Sequence, residues 1–222
     1  MKPNFSARIV SLEEVYATSY KLALLIMESP YIFDTVIAIA RGGFPIARFI
    51  CDFLNIHNLG SVQITHYTAG ATEVEKMQIL APVNIAVKGK KILLIDDVND
   101  TGKTLIAARD YIQTMHPTLL KTAVIHEKPN TVLKVDFVAE KIKEWKWLIY
   151  QWAVTEDVLA FLYKDNMLEE NEDVARAHLA DKYKLIIDKN YFHDILKLKE
   201  NYYKQKTQAP DILPIPQKQA KF

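Results

Sequence analysis

Residues 92–105, ILLIDDVNDTGKTL, constrain this chain more than any other stretch. Apolar residues lead into two adjacent acids, and a helix then opens behind Asp100-Thr101-Gly102-Lys103-Thr104. A continuous apolar run of this kind suits a strand buried on both faces, the habit of parallel sheets covered by helices. The same reading applies to residues 35–40 (TVIAIA), which halt at Gly42-Gly43. Pro45 then suits the first turn of a helix carrying Ala47, Phe49, Ile50 and Phe53. Further candidate strands are residues 62–65, 122–126, 137–139 and 146–150. Strands alternating with helices predict an α/β fold, a mainly parallel sheet flanked by helices and wound with right-handed crossovers. Ligands of such sheets bind at the carboxyl ends of the strands, where the loops after Ala40 and Ile95 lie.

The flanks differ in character. Ser11 and Glu14 have capping-box spacing, and Val15, Ser19, Leu22 and Ile26 share one face of an opening helix that Ser29-Pro30 closes. Beyond residue 157 the chain turns charged and helical, over 168–183 and again over 191–205, where Tyr191, Ile195, Leu198 and Tyr202 fall on one face. Three prolines within residues 209–216 suggest an extended tail. The expected organisation is an α/β domain over 1–157, a helical C-terminal extension over 158–208 and a proline-containing tail over 209–222.

Charge and cysteine usage narrow the function. A formal net charge of +1 lacks the basic excess of a nucleic-acid-binding domain, so no nucleic-acid partner is expected. Cys51 is the single cysteine, which excludes an intramolecular disulfide and a cysteine-based zinc site. The N-terminal residues lack the apolar core of a signal peptide, and no run reaches the roughly 18 apolar residues a membrane span needs. A cytoplasmic protein without a membrane partner is expected.

The acidic motif suits a sugar phosphate. Backbone N–H groups at a helix N-terminus, with the Thr101 and Thr104 hydroxyls, can surround a phosphate, and Gly102 permits close backbone approach. Asp96 and Asp97 at the strand tip can engage ribose hydroxyls, directly or through hydrated Mg²⁺. Gly102-Lys103-Thr104 could be mistaken for the end of a nucleotide-binding P-loop, but the glycine that pattern needs five residues earlier is Asp97 here.

Four apolar residues, Asp-Asp, two variable positions and Asp-Thr-Gly-x-Thr resemble the phosphoribosyl pyrophosphate (PRPP) signature of type I phosphoribosyltransferases. The resemblance implies that Asp96 and Asp97 bind ribose hydroxyls and the hydration shell of Mg²⁺. It likewise implies that Asp100, Thr101, Gly102, Lys103 and Thr104 take the 5′-phosphate, and that Asp100 also assists proton removal from the purine N7. Arg41-Gly42-Gly43 stands where the family forms its pyrophosphate loop, and a charged fork beside open backbone suits a diphosphate. Residues 65–84 resemble the loop that closes over PRPP in that family, although an ordinary β-hairpin explains them equally well.

The later part of the chain resembles bacterial xanthine–guanine phosphoribosyltransferases and related 6-oxopurine enzymes. On that resemblance Lys128 donates to the purine O6, Trp147 stacks on the ring and backbone near Leu148 reads its edge, while Trp145 and Trp152 are structural. An ammonium donor would reject the amino group of adenine. The chain departs from the family pattern at Ile149 and Ala153, where acids are expected, which leaves the order among hypoxanthine, guanine and xanthine open and a second metal contact in doubt. The implied activity is Mg²⁺-dependent transfer of the phosphoribosyl group from PRPP to a 6-oxopurine in purine salvage, by a homo-oligomer. The alternatives are a PRPP-binding regulator without catalysis and a transferase for another base.

Overall fold

The structure, a computed structural model, describes residues 5–68 and 75–206. The expected proline-containing tail at 209–222 and the middle of the 65–84 segment lie outside the described residues. Two compact units emerge, one of residues 15–145 and one that joins the N-terminal residues up to Glu14 to the chain from Lys146 onward.

The unit of residues 15–145 holds a six-stranded sheet built from β2 (Thr35–Ala40), β3 (Asn58–Thr68), β4 (Glu75–Ala81), β5 (Lys91–Asn99), β6 (Leu119–Glu127) and β7 (Phe137–Lys141), where β1 (Ala7–Val10) belongs to the other unit. The spatial order is β4-β3-β2-β5-β6-β7. Every pairing is parallel except β3 with β4, which form an antiparallel pair across the segment that resembled a closing loop. The expected mainly parallel α/β sheet is present. Four helices accompany the parallel strands or follow from them in the chain: α1 (Leu12–Met27), α2 (Gly43–Phe53), α3 (Lys103–Gln113) and, after residue 145, α4 (Val154–Lys164).

Side-chain alternation explains the layers. Ile37, Ile92, Leu94 and Val124 form one apolar cluster with Leu105, Ala108 and Ile112 of α3, all fully or almost fully buried. Leu93 and Ile95, one residue out of step, point to the opposite face of the sheet, and α2 packs on β2 and β5. Each such side chain contributes about 2 kcal/mol on burial, which fixes the register, because a one-residue slip would turn the apolar set of a strand over. In α1 the Ser11 hydroxyl accepts from Glu14 N–H at 3.1 Å, and Val15, Ser19, Leu22 and Ile26 are buried, as their spacing predicts.

The second unit pairs β1 in parallel with β8 (Trp147–Tyr150), in the register Ala7 with Trp147. That pairing draws residues 146–157 together with the helices that follow, and the compact division falls between Trp145 and Lys146. The helices are α4, α5 (Glu172–Tyr183), α6 (Lys189–Leu196) and α7 (Lys199–Lys206). Ile149, Val158, Leu162, Leu179, Tyr183 and Phe192 share their core. Asn171 caps α5 by accepting from Asp173 N–H, and Asp188 caps α6 by accepting from Asn190 and Tyr191 N–H. The helix expected over 191–205 is interrupted between Leu196 and Lys199. Asp165 ties α4 to α5: its carboxylate accepts from Tyr183 Oη at 2.8 Å and Lys182 Nζ at 2.5 Å, with His178 Nε2 at 2.7 Å. Burial works against the charge, but the hydrogen bonds from His178, Lys182 and Tyr183 prevail and hold its pKa at about 2. No helix among the described residues is long and apolar enough to cross a membrane.

Candidate active site

Parallel pairing of β2 with β5, and of β5 with β6, sets three strand ends side by side. The loops leaving those ends carry Arg41-Gly42-Gly43, the acidic motif and Lys128. The predicted loops are thus brought together by sheet order, although about fifty residues separate the first from the second in the sequence.

The glycines of the first loop are required by contact. A Cβ on Gly43 would lie 2.5 Å from the Ile95 carbonyl oxygen, and one on Gly42 would lie 2.2 Å from Asp97 Oδ2. Real Cβ atoms do not approach so closely, so the first loop presses its backbone directly against the tip of β5. The Ala40–Arg41 peptide is cis, and the Arg41 residue is exposed. Cys51, further along α2, is buried in the core, and burial pushes its thiol up to about 11, which fits a packing role.

Asp96 is buried and Asp97 half-buried, with Asp97 N–H donating to Asp96 Oδ1 at 2.9 Å. Burial, reinforced by the neighbouring Asp97 charge, raises the Asp96 pKa well above the usual carboxylate range. Burial likewise lifts Asp97 to about 6, against the lowering effects of the Val98 and Asp97 backbone N–H groups and of the Lys128 charge. Two crowded carboxylates at a strand tip present hard oxygen donors whose ionised forms a divalent cation would favour. Among the described residues no group of three or more His, Cys, Asp and Glu is gathered into a cage. The donor chemistry of the two carboxylates fits Mg²⁺, which keeps several waters and is commonly held by one or two carboxylates together with substrate phosphates.

Gly102 forms the turn into α3 with φ of 85°, a left-handed conformation natural to glycine, and a Cβ there would meet Leu133 Cβ at 2.7 Å. Thr101 and Lys103 are exposed and Thr104 is half-buried around the first turn of α3, where Lys103 N–H donates to Thr101 Oγ1 at 3.4 Å; a helix N-terminus of this kind favours an anion.

On the other side of the motif, Asn99 is 1 % exposed and holds two loops in place. Its Nδ2 donates to Glu127 Oε2 at 3.2 Å and to the Leu133 carbonyl at 3.1 Å, while its Oδ1 accepts from Thr131 Oγ1 at 2.9 Å. The Asn99 carbonyl accepts from Lys128 N–H at 2.9 Å. Lys128, only 3 % exposed, is thereby aimed at Asp100, and its Nζ donates to Asp100 Oδ2 at 2.8 Å. The Trp145 indole N–H donates to Asp100 Oδ1 at 3.1 Å, and Lys128 Nζ lies 4.9 Å from the centre of the Trp145 ring.

Of the residues singled out from the sequence, the unit of residues 15–145 gathers Arg41, Gly42, Gly43, Asp96, Asp97, Asp100 to Thr104 and Lys128 at one set of strand ends. Trp147 and Leu148 belong to the other unit, where Leu148 is buried and the Trp147 ring stacks on Phe5 at 6.4 Å. Sequence reasoning passed over Asn99, which occupies a position the motif leaves variable, and read Trp145 as structural, whereas its indole N–H reaches Asp100. His126, fully buried on β6, joins no metal cluster among the described residues.

Residues 8–157, more than half of the chain, match the phosphoribosyl transferase domain family. The hypoxanthine-guanine phosphoribosyltransferase of Aquifex aeolicus is 30% identical over 121 residues, covering 51% of this chain and 66% of that protein, just under two thirds of its length. The xanthine-guanine phosphoribosyltransferase of Desulfotalea psychrophila is 26% identical over 147 residues, covering 64% of this chain and 84% of that protein. Among solved structures, the purine phosphoribosyltransferase from Pyrococcus horikoshii is similar with a TM-score of 0.59 at 28% identity, covering 67% of this chain and 94% of that one.

Proposed function

We propose that this chain, which belongs to the phosphoribosyltransferase family, transfers the 5-phosphoribosyl group from PRPP to a 6-oxopurine and releases pyrophosphate. The observation that carries the reading is the Lys128 ammonium set 2.8 Å from the Asp100 carboxylate at adjoining strand ends. A 6-oxopurine presents an oxo acceptor beside an N7–H donor on one edge, and that edge is complementary to a cation next to a carboxylate. Adenine presents an amino group to the ammonium instead, so it is expected to be a poor substrate.

Placement supports the remaining roles in this reading. The first turn of α3, with Thr101, Gly102, Lys103 and Thr104, takes the 5′-phosphate, and the loop of Arg41, Gly42 and Gly43 takes the diphosphate. Asp96 and Asp97 hold the ribose hydroxyls or the hydrated Mg²⁺, an ion that supplies positive charge to the departing pyrophosphate when bound. Asp100 accepts the proton of N7 as N9 bonds to ribose C1 and the C1–O bond to pyrophosphate breaks. Holding base and sugar in line at fixed strand ends supplies much of the rate through proximity alone. The setting we propose is purine salvage in the cytosol by a homo-oligomer.

The test is an assay of the full chain with PRPP and MgCl₂ against hypoxanthine, guanine, xanthine, adenine, orotate and uracil, reading nucleotide and pyrophosphate separately. Turnover of one or more 6-oxopurines, with adenine far behind and loss of turnover in EDTA, is expected. Preference for adenine or a pyrimidine would replace the substrate class, and PRPP binding without turnover of any base would leave a PRPP-binding regulator.

A further inference from the structure

Asp100 stands on a loop and is 31% exposed, so neither packing nor burial fixes the plane of its carboxylate. Hydrogen bonds fix it. Oδ2 is held by Lys128 and Oδ1 by the Trp145 indole. These two donors differ in what they do when a base arrives. Lys128 is charged and carries its ammonium on a flexible four-carbon stem, and on the transferase reading it turns toward an oxo group. The Trp145 N–H is neutral, can only donate, and sits on a half-buried ring that also lies beneath the Lys128 ammonium.

We infer that Trp145 is a positioning residue for Asp100: its N–H keeps Oδ1 in place so that Oδ2, the oxygen engaged here by Lys128, meets the N7 proton as Lys128 turns to the ligand oxo group. The inference rests on the transferase reading. It also gives the ring a second task, as a flat face along which the ammonium moves between the two acceptors without leaving a favourable environment. A tryptophan with a purely structural role would need the ring and not the N–H. Phenylalanine at this position separates the two roles, because it keeps the ring face and removes only the donor.

The experiment compares wild type with Trp145→Phe in steady-state kinetics with PRPP and whichever 6-oxopurine the wild type uses. The expected result is a kcat lowered about tenfold, the effect of one hydrogen bond to a charged group, with KM for PRPP within about twofold and an unchanged melting temperature. An unaltered kcat overturns the inference, as does a fall in kcat matched by equal losses of PRPP affinity and stability. If the wild type turned over no base, the transferase reading would fail. The indole N–H resonance assigned by its disappearance in Trp145→Phe would then decide the contact. A shift of that resonance in Asp100→Ala supports the positioning bond, and an unmoved resonance overturns it.

Discussion

Gly42 and Asp97 are held so close that a single methyl group on the glycine would lie 2.2 Å from Asp97 Oδ2. The outer oxygen of a carboxylate can swing away, so Gly42→Ala is expected to fold, with a melting temperature lowered by no more than about 3 °C. On the proposed reading, in which Asp97 faces the sugar, transferase activity should fall about a hundredfold. Gly43→Ala meets the Ile95 carbonyl at 2.5 Å, which is backbone and cannot turn aside. That variant should lose about 3 kcal/mol of stability. Urea denaturation beside the product assay separates the two, and equal stability losses in both variants would show that the contact has been misjudged.

Gly102→Ala combines two penalties. An L-residue at φ of 85° is strained, and its Cβ would press on Leu133 Cβ at 2.7 Å. Leu133 is buried in the core cluster that α3 shares, so it cannot yield without opening a gap. We expect a loss of about 3 kcal/mol in urea denaturation, summed from roughly 1 to 2 for the backbone and 1 to 3 for overpacking. Gly89, also at positive φ but with open space where its Cβ would stand, is the control and should lose about 1 kcal/mol. Equal losses at both positions would remove Leu133 from the account.

These glycines mark where the sequence was readable. The acidic motif announces itself because local residues alone make the strand, the tight turn and the helix start. The apolar runs mark the whole of β2 and the start of β5, which continues four residues beyond Ile95 to Asn99. What could not be read depends on distant partners. Trp145 meets Asp100 across 45 residues, and Asn99 meets Thr131 and Leu133 across a loop with no periodicity. The pairing of β1 with β8 left no trace either, because it joins four residues near the N-terminus to four near residue 148. The break between α6 and α7 falls at Lys197-Leu198, where neither glycine nor proline signals it. Helix ends set by packing leave no local trace.

Asp165 supports the C-terminal helices through donors from Lys182 and Tyr183. Asp165→Asn keeps the shape and removes the charge, and should cost about 2 kcal/mol near neutral pH. The sign of the pH effect is set by a folded pKa of about 2 lying below the ordinary 3.8. The stabilisation is complete above pH of about 4 and disappears as pH falls through about 2. Wild type and variant should therefore converge in urea denaturation at pH 2 and separate at pH 7. A gap of the same size at both values would mean that shape, not charge, carries the contribution.

Asp97 runs the opposite way, because burial raises its folded pKa to about 6 from the ordinary 3.8. Between those values the folded chain keeps a proton that the unfolded chain has released, so stability falls as pH rises from about 4 to about 6 and then levels. The Asp96 pKa is raised as well, partly by the Asp97 charge, and relaxes when that charge is removed. Asp97→Asn cannot ionise and escapes the loss. Compared with its standing at pH 4, the variant should gain stability over wild type by pH 8, on the order of a few kcal/mol. It should do so while losing transferase activity, since an amide neither holds the cation nor accepts a ribose hydroxyl as a carboxylate does. Urea denaturation at pH 4, 6 and 8 without divalent ions reads the stability arm. A gap that stays constant or opens toward acid would mean that Asp97 is not held against its ionised form.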